Sequence, residues 1–327
     1  MNNNKQTTHK HHYIPVFYLK KWTGDNGKLK QYSIPNRNSK EVKELTVYPS
    51  GTGFEIDLYS RKNLPRQFID YLETHFLQII DDDAARVMEK MIKYRIPNSD
   101  QEMCDWARFI FSITHRAPQR IKNISKKYEE HMDFIKKTIQ NHKELTHNAK
   151  EELMEILPKK IDQSFNSLIE TLHNPKKSGE ILINQIWHVI EFTQDTLITS
   201  DHPIVCGKYD ADLDFRGGIF LAISPRHLFL SSKYVNFIKQ VEHMKEHFAK
   251  RYNKTVCLKS EKYVFSSQDF SSYQSNVKFI FKNFRKMSPE NLGLHDDCRD
   301  IILKPNKDLF LKLQNAKPAT ASAPQLS

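Results

Sequence analysis

Glycine is scarce, with 9 in 327 residues. Neither G-x-G-x-x-G nor G-x-x-x-x-G-K-[ST] occurs. The bare-backbone loops that cradle nucleotide phosphates are therefore missing, which argues against the common dinucleotide and P-loop folds. Cysteine is equally sparse. Cys104, Cys206, Cys257 and Cys298 are widely spaced and form no C-x-x-C pair. That spacing argues against a zinc ribbon and against a disulfide framework. No apolar run approaches the ~20 residues of a membrane helix. The polar start, Met1 to Gln6, carries no signal-peptide apolar stretch. A cytoplasmic protein with no membrane partner is the expectation. Gly-x-Ser-x-Gly elbows and His-Glu-x-x-His helices are also missing, so serine-elbow hydrolysis and zincin proteolysis lack a motif.

What is present is a core-forming share of apolar residues, 39%, and a formal charge of +11. A surplus of that size favours polyanionic partners, nucleic acid first among them. Lysine-rich solvated faces are the bland alternative. Charge speaks to association and not to fold.

Periodicity divides the chain. Residues 1–8 and 313–327 read as disordered, and 9–312 as one α+β domain. Lys28–Ile34 alternates polar and apolar as a strand does, after Asp25-Asn26-Gly27, which suits a tight hairpin turn. Apolar residues at three- and four-residue steps then predict helices over 66–94, from Asp100 to before Pro118, over 118–143 and over 148–172. Asn98-Ser99-Asp100 supplies N-cap chemistry. Strands are expected over 181–192, 196–199, 218–223 and 227–230, and one helix over 232–251. The mixed or antiparallel sheet would join N- and C-terminal parts, with a helical insertion at about 66–173.

The densest group of chemically versatile side chains is His9, His11 and His12, ahead of the apolar anchor Tyr13–Leu19. Imidazole binds metals and moves protons near neutral pH. On an extended segment His11 and His12 face opposite sides, while His9 and His11 share one. Either a metal-binding pair or a single base fits; an exposed histidine-rich arm is the structural alternative. His11-His12-Tyr13-Ile14-Pro15 also resembles the first element of His-Me finger nucleases. That motif needs a nearby second histidine, and none occurs between His12 and His75.

Other candidates are scattered. Ser200-Asp201-His202-Pro203 ends a strand, where Asp201 can ligate a metal or orient an imidazole; such sequences also close turns. Arg116 can clamp a phosphate with its fork or simply offset a helix dipole. Glu55 and Asp57 are possible ligands, or exposed loop acids. Asp81-Asp82-Asp83 points three ways around a helix and reads as solvated. His295–Asp300 reads as surface. His115, His188 and His227, among apolar neighbours, read as core histidines.

Several of these pieces together resemble one family. Lys10–Leu19 with Trp22, Asp57-Leu58-Tyr59-Ser60, Arg116-Ala117-Pro118, Thr199–Val205, Ser224-Pro225 and Asn253 match, in order, the bacterial and fungal proteins called domain of unknown function 4238. The resemblance runs from Lys10 to about Ser266. It implies architecture and candidate residues, and no chemistry.

The resulting expectation is a composite site in which the N-terminal histidines, the 200–203 loop and Arg116 converge. Its function would be hydrolysis of nucleic acid, metal-assisted, in a defence or toxin setting. His11, His12, Asp201, Arg116 and Ser200 are the candidate catalytic residues. His11, His12 and Asp201 are the candidate ligands of a divalent metal. A non-catalytic nucleic-acid or protein-binding module, and a small-molecule hydrolase or transferase acting on a phosphate-bearing substrate, are the alternatives.

Overall fold

The computed structural model describes residues 10–33, 41–58, 77–94, 97, 99–143, 145–156, 180, 182–206, 218–268 and 270. The expectations for His9, for both termini, for 295–300 and for most of 148–172 fall outside them.

Three antiparallel sheets carry the β-structure. β1 (Lys10–His12) and β4 (Phe54–Ile56) form a ribbon in which His11 sits opposite Glu55. β2 (Leu29–Ser33), β3 (Lys43–Val47), β6 (Thr199–Ser200) and β10 (Tyr263–Ser266) form a second sheet in the order β3-β2-β10-β6. β5 (Ile186–Glu191), β7 (Val205–Cys206), β8 (Ile219–Ser224) and β9 (His227–Ser232) form the third, ordered β5-β9-β8-β7. The second sheet joins strands from the N- and C-terminal parts of the described chain, so the fold is α+β, with three long helices among the described residues inserted between them.

Those helices are α2 (Gln78–Tyr94), α3 (Asp100–His115) and α4 (Pro118–Asn141). Their boundaries have local causes. Ser99 caps α3, its hydroxyl accepting the Glu102 N–H at 3.3 Å. Pro118 stands at the first position of α4, where its missing N–H costs nothing. The apolar stripe of α2, Ile80, Ala84, Val87, Met88 and Met91, is buried, as helical spacing requires.

Short α1 (Val16–Leu19) sits between the sheets. Tyr18 is fully buried there, and its hydroxyl donates to Ala222 O at 2.7 Å. With that proton committed, Thr199 Oγ1 donates to Tyr18, also at 2.7 Å. One side chain thus fastens the N-terminal segment to β6 and β8. Tyr252 does related work, donating to Pro203 O and accepting the Ala222 N–H. Asn253 accepts the Ile198 N–H and donates to Thr196 O.

Several expectations need correction. The 232–251 helix is two helices, α5 (Val235–His243) and α6 (Lys245–Lys259), broken at Met244. Residues 182–185 precede β5 as helix and turn, so that strand starts at Ile186. β6 is only Thr199–Ser200 and pairs with β10, not with β5. The Asp25–Gly27 turn forms, with Gly27 at φ 70°, but joins a 3-10 turn to β2 instead of joining two strands. Cys206 is disulfide-bonded, although the cysteine spacing argued against a disulfide framework, while Cys104 and Cys257 are free.

His115 ends α3, buried, and donates Nδ1–H to Phe111 O at 2.7 Å. Burial, aided by Arg120, lowers its pKa from 6.5 to about 4. The unfolded imidazole therefore binds a proton first as pH falls. Stability should decline between pH 6.5 and about 4, by at most about 3 kcal/mol, and level off below that. Urea unfolding across that range checks this. His115→Gln should flatten the pH dependence; an unchanged slope would show that other groups cause it.

Candidate functional site

Two polar seams meet at the β1–β4 ribbon. Both begin with Gly53. Its φ of 65° is left-handed, and an added Cβ would lie 3.1 Å from Ile14 Cβ. Only glycine allows the backbone to approach this closely without strain. The Gly53 carbonyl accepts the N–H groups of Tyr13 and Ile14 at 2.9 and 3.1 Å. That double contact fixes where the side chains of residues 11–13 point.

The first seam lies beside the helices. Arg116 is 1% exposed, and its fork grips Asp81 through Nη1 at 2.9 Å and Nη2 at 2.6 Å. Its Nε donates to Ser112 at 2.7 Å. Asp81 is thus paired and only partly exposed, unlike exposed Asp82. Burial raises the Asp81 pKa, against the pull of Arg116. His12 lies above this pair, edge-on to Phe54 with ring centroids 5.5 Å apart. Burial lowers its pKa, with opposing contributions from the Ser50 backbone and Asp81. His12 is therefore held as the neutral imidazole. His11, on the other face of β1, is fully buried.

The second seam lies beside the 200–203 loop. Asp201 is buried, and its carboxylate accepts three backbone N–H groups. Oδ1 takes Glu261 at 2.9 Å; Oδ2 takes Lys262 and Tyr263, the latter at 3.0 Å. The Asp201 N–H donates back to Tyr263 O at 3.0 Å. Burial raises its pKa, opposed by His202 and by these three donors. Ser200 Oγ accepts the His202 N–H at 3.0 Å, which closes the turn. His202 Nε2 lies 3.2 Å from Glu261 Oε1. That contact, with Lys262 beside it, holds the Glu261 carboxyl below its usual range.

A lysine rim borders this seam. Glu55 accepts Lys262 Nζ at 2.6 Å and pairs with Lys122 Nζ at 3.2 Å. Burial pushes Glu55 up, but the two ammonium groups outweigh it and lower its pKa. Tyr13 points into the same region. Its hydroxyl is buried and makes no hydrogen bond. Burial raises its pKa, and Asp201, Tyr263, Glu55 and Glu261 add to the effect, so it keeps its proton as a donor.

The residues expected to converge divide between the two seams. Asp201 adds electrostatically to the raised pKa of Tyr13. His12 and Asp81 influence each other's titration in the same way. Arg116 grips a carboxylate of the protein itself, and Ser200 closes a turn. Among the described residues, no three His, Cys, Asp or Glu side chains gather as a metal ligand set. Tyr13, His202 and Glu261 are the groups that motif reasoning passed over. Tyr13 and His202 sit inside the two quoted motifs, one residue beyond the ones chosen.

The family model described as protein of unknown function (DUF4238) matches residues 10–270. The chain belongs to the DUF4238 family. Among curated proteins and solved structures, nothing matches. The DUF4238 span begins at β1 and ends past β10, so it takes in both seams.

The Arg116–Asp81 pair should be a strong fastener, because removing one partner leaves the other partly buried and unpaired. Arg116→Ala should cost about 3 kcal/mol or more in urea unfolding. Arg116→Lys should recover little, since an ammonium cannot make the two-pronged contact. Full recovery by lysine would show that charge alone matters there.

Proposed function

We propose that this DUF4238 protein hydrolyses phosphodiester bonds in nucleic acid. The observation carrying this reading is the meeting of an imidazole–carboxylate contact, His202–Glu261, with a lysine rim, Lys122 and Lys262. An imidazole beside a carboxylate can move protons near neutral pH. Exposed ammonium groups attract a phosphate backbone and offset charge developing on it. The net charge of +11 favours the same class of partner. Asp201 and Arg116 enter as residues that hold the seams in shape.

The proposed cofactor is a divalent metal that completes its coordination with substrate phosphates, as magnesium commonly does. Its chemistry would be to polarise the phosphoryl group. A non-catalytic nucleic-acid-binding module is the second reading, favoured by the engagement of Asp201 and Arg116 in internal contacts.

The deciding experiment incubates the protein with single- and double-stranded DNA and RNA, with Mg²⁺ or Mn²⁺ and with chelator. Hydrolysis is expected, and its loss in chelator would place a metal in the reaction. Lys122→Ala with Lys262→Ala should weaken substrate binding and flatten the dependence of log affinity on log salt by about two contacts. Binding without turnover would support the module. Neither binding nor turnover would reject both readings.

A further inference from the structure

We propose that His202 is the general base of the reaction, that Glu261 orients it, and that Asp201 is a positioning residue acting through Glu261. This rests on the nuclease reading. The loop bearing His202 and the strand start bearing Glu261 are clamped as one unit. Asp201 holds the N–H groups of Glu261, Lys262 and Tyr263, and returns its own N–H to Tyr263 O. The adjacent Ser200 hydroxyl fixes the His202 N–H. The imidazole and carboxylate can then meet at 3.2 Å without either side chain being free to wander. Pre-ordering of this kind is what a base needs in order to act through a defined geometry.

Exposure separates this imidazole from that of His11. The His202 side chain is 26% exposed and that of Glu261 41%, whereas His11 is 0% exposed. Lys262, next to Glu261, is at the rim where a phosphate would approach. His202 Nε2 lies 3.2 Å from Glu261 Oε1. In the proposed step the unprotonated ring nitrogen of His202 takes a proton from water, and the water oxygen bonds to phosphorus. The bond to the leaving oxygen breaks, and that oxygen takes up a proton. The products are a phosphate monoester end and a hydroxyl end, and no oxidant or reductant is needed. Tyr13, with its buried hydroxyl proton, faces the same carboxylates and is not required as a base.

The test measures kcat and KM on a single-stranded oligonucleotide with Mg²⁺, and in parallel the ¹³C titration of the Glu261 carboxyl. His202→Gln should lower kcat by about 10²- to 10⁴-fold with little change in KM. Added imidazole should restore part of the rate to His202→Gly. The Glu261 carboxyl, held low in the wild type, should move up toward its ordinary value in both His202→Gln and Asp201→Asn. If Asp201→Asn does not fold, Glu261→Gln carries the kinetic test and must itself lower kcat. A wild-type rate in His202→Gln would overturn the base assignment and leave the nuclease reading standing. No hydrolysis by the wild type would overturn the reading and the base with it. A Glu261 titration unmoved by Asp201→Asn would overturn the positioning role.

Discussion

The three N–H bonds accepted by Asp201 are the contact on which the second seam depends. They join the end of β6 to the start of β10, at the edge of the sheet that unites both ends of the chain. A buried carboxylate is costly unless it is met by donors, and here three are supplied by consecutive residues. The trade runs both ways. Residues 261–263 begin a strand, so their amides need acceptors that the two-residue strand β6 is too short to provide. An aspartate can serve all three because both oxygens accept; an asparagine offers only one such oxygen. The local backbone thus requires this residue type whatever chemistry occurs beside it.

The same logic recurs through the molecule. Tyr18 closes the gap between α1, β6 and β8 with two hydrogen bonds from one oxygen. Asn253 serves the backbone on either side of residue 197. Arg116 spends its guanidinium on Asp81 and Ser112. Each is a polar group taken from water and satisfied within the protein, which fixes geometry more than it adds net stability. All four residues, Tyr18, Asn253, Arg116 and Asp201, fall in the pieces of sequence that resemble the family.

What was legible in the sequence was local. Ser99 and Pro118 set helix boundaries through contacts within one turn, and the α2 stripe follows from helical spacing. The β8–β9 hairpin likewise follows from two short apolar runs joined through Ser224-Pro225. What escaped depended on distant partners. Asp81 belongs to a run of three aspartates that point in different directions, and only the position of Arg116, 35 residues later, singles it out. The break at Met244 has no glycine or proline to announce it. β6 is two residues long, and its pairing is decided by β10 more than 60 positions away. His202 and Tyr13 were hidden by their neighbours, because motif reading favours the residue of more familiar chemistry.

That last point changes how the histidine-rich start is understood. β1 pins His11 inside and holds His12 neutral over a carboxylate already engaged with arginine. The next residue, Tyr13, carries the segment to the 200–203 loop. Strand alternation explains the division of labour: His11 and Tyr13 share one face of the extended segment, and His12 has the other. One face therefore leads to Glu55, Asp201 and Glu261, and the other to Asp81. A three-residue strand so serves two seams at once. The two hydrogen bonds that the N–H groups of residues 13 and 14 donate to the Gly53 carbonyl keep the two from exchanging places.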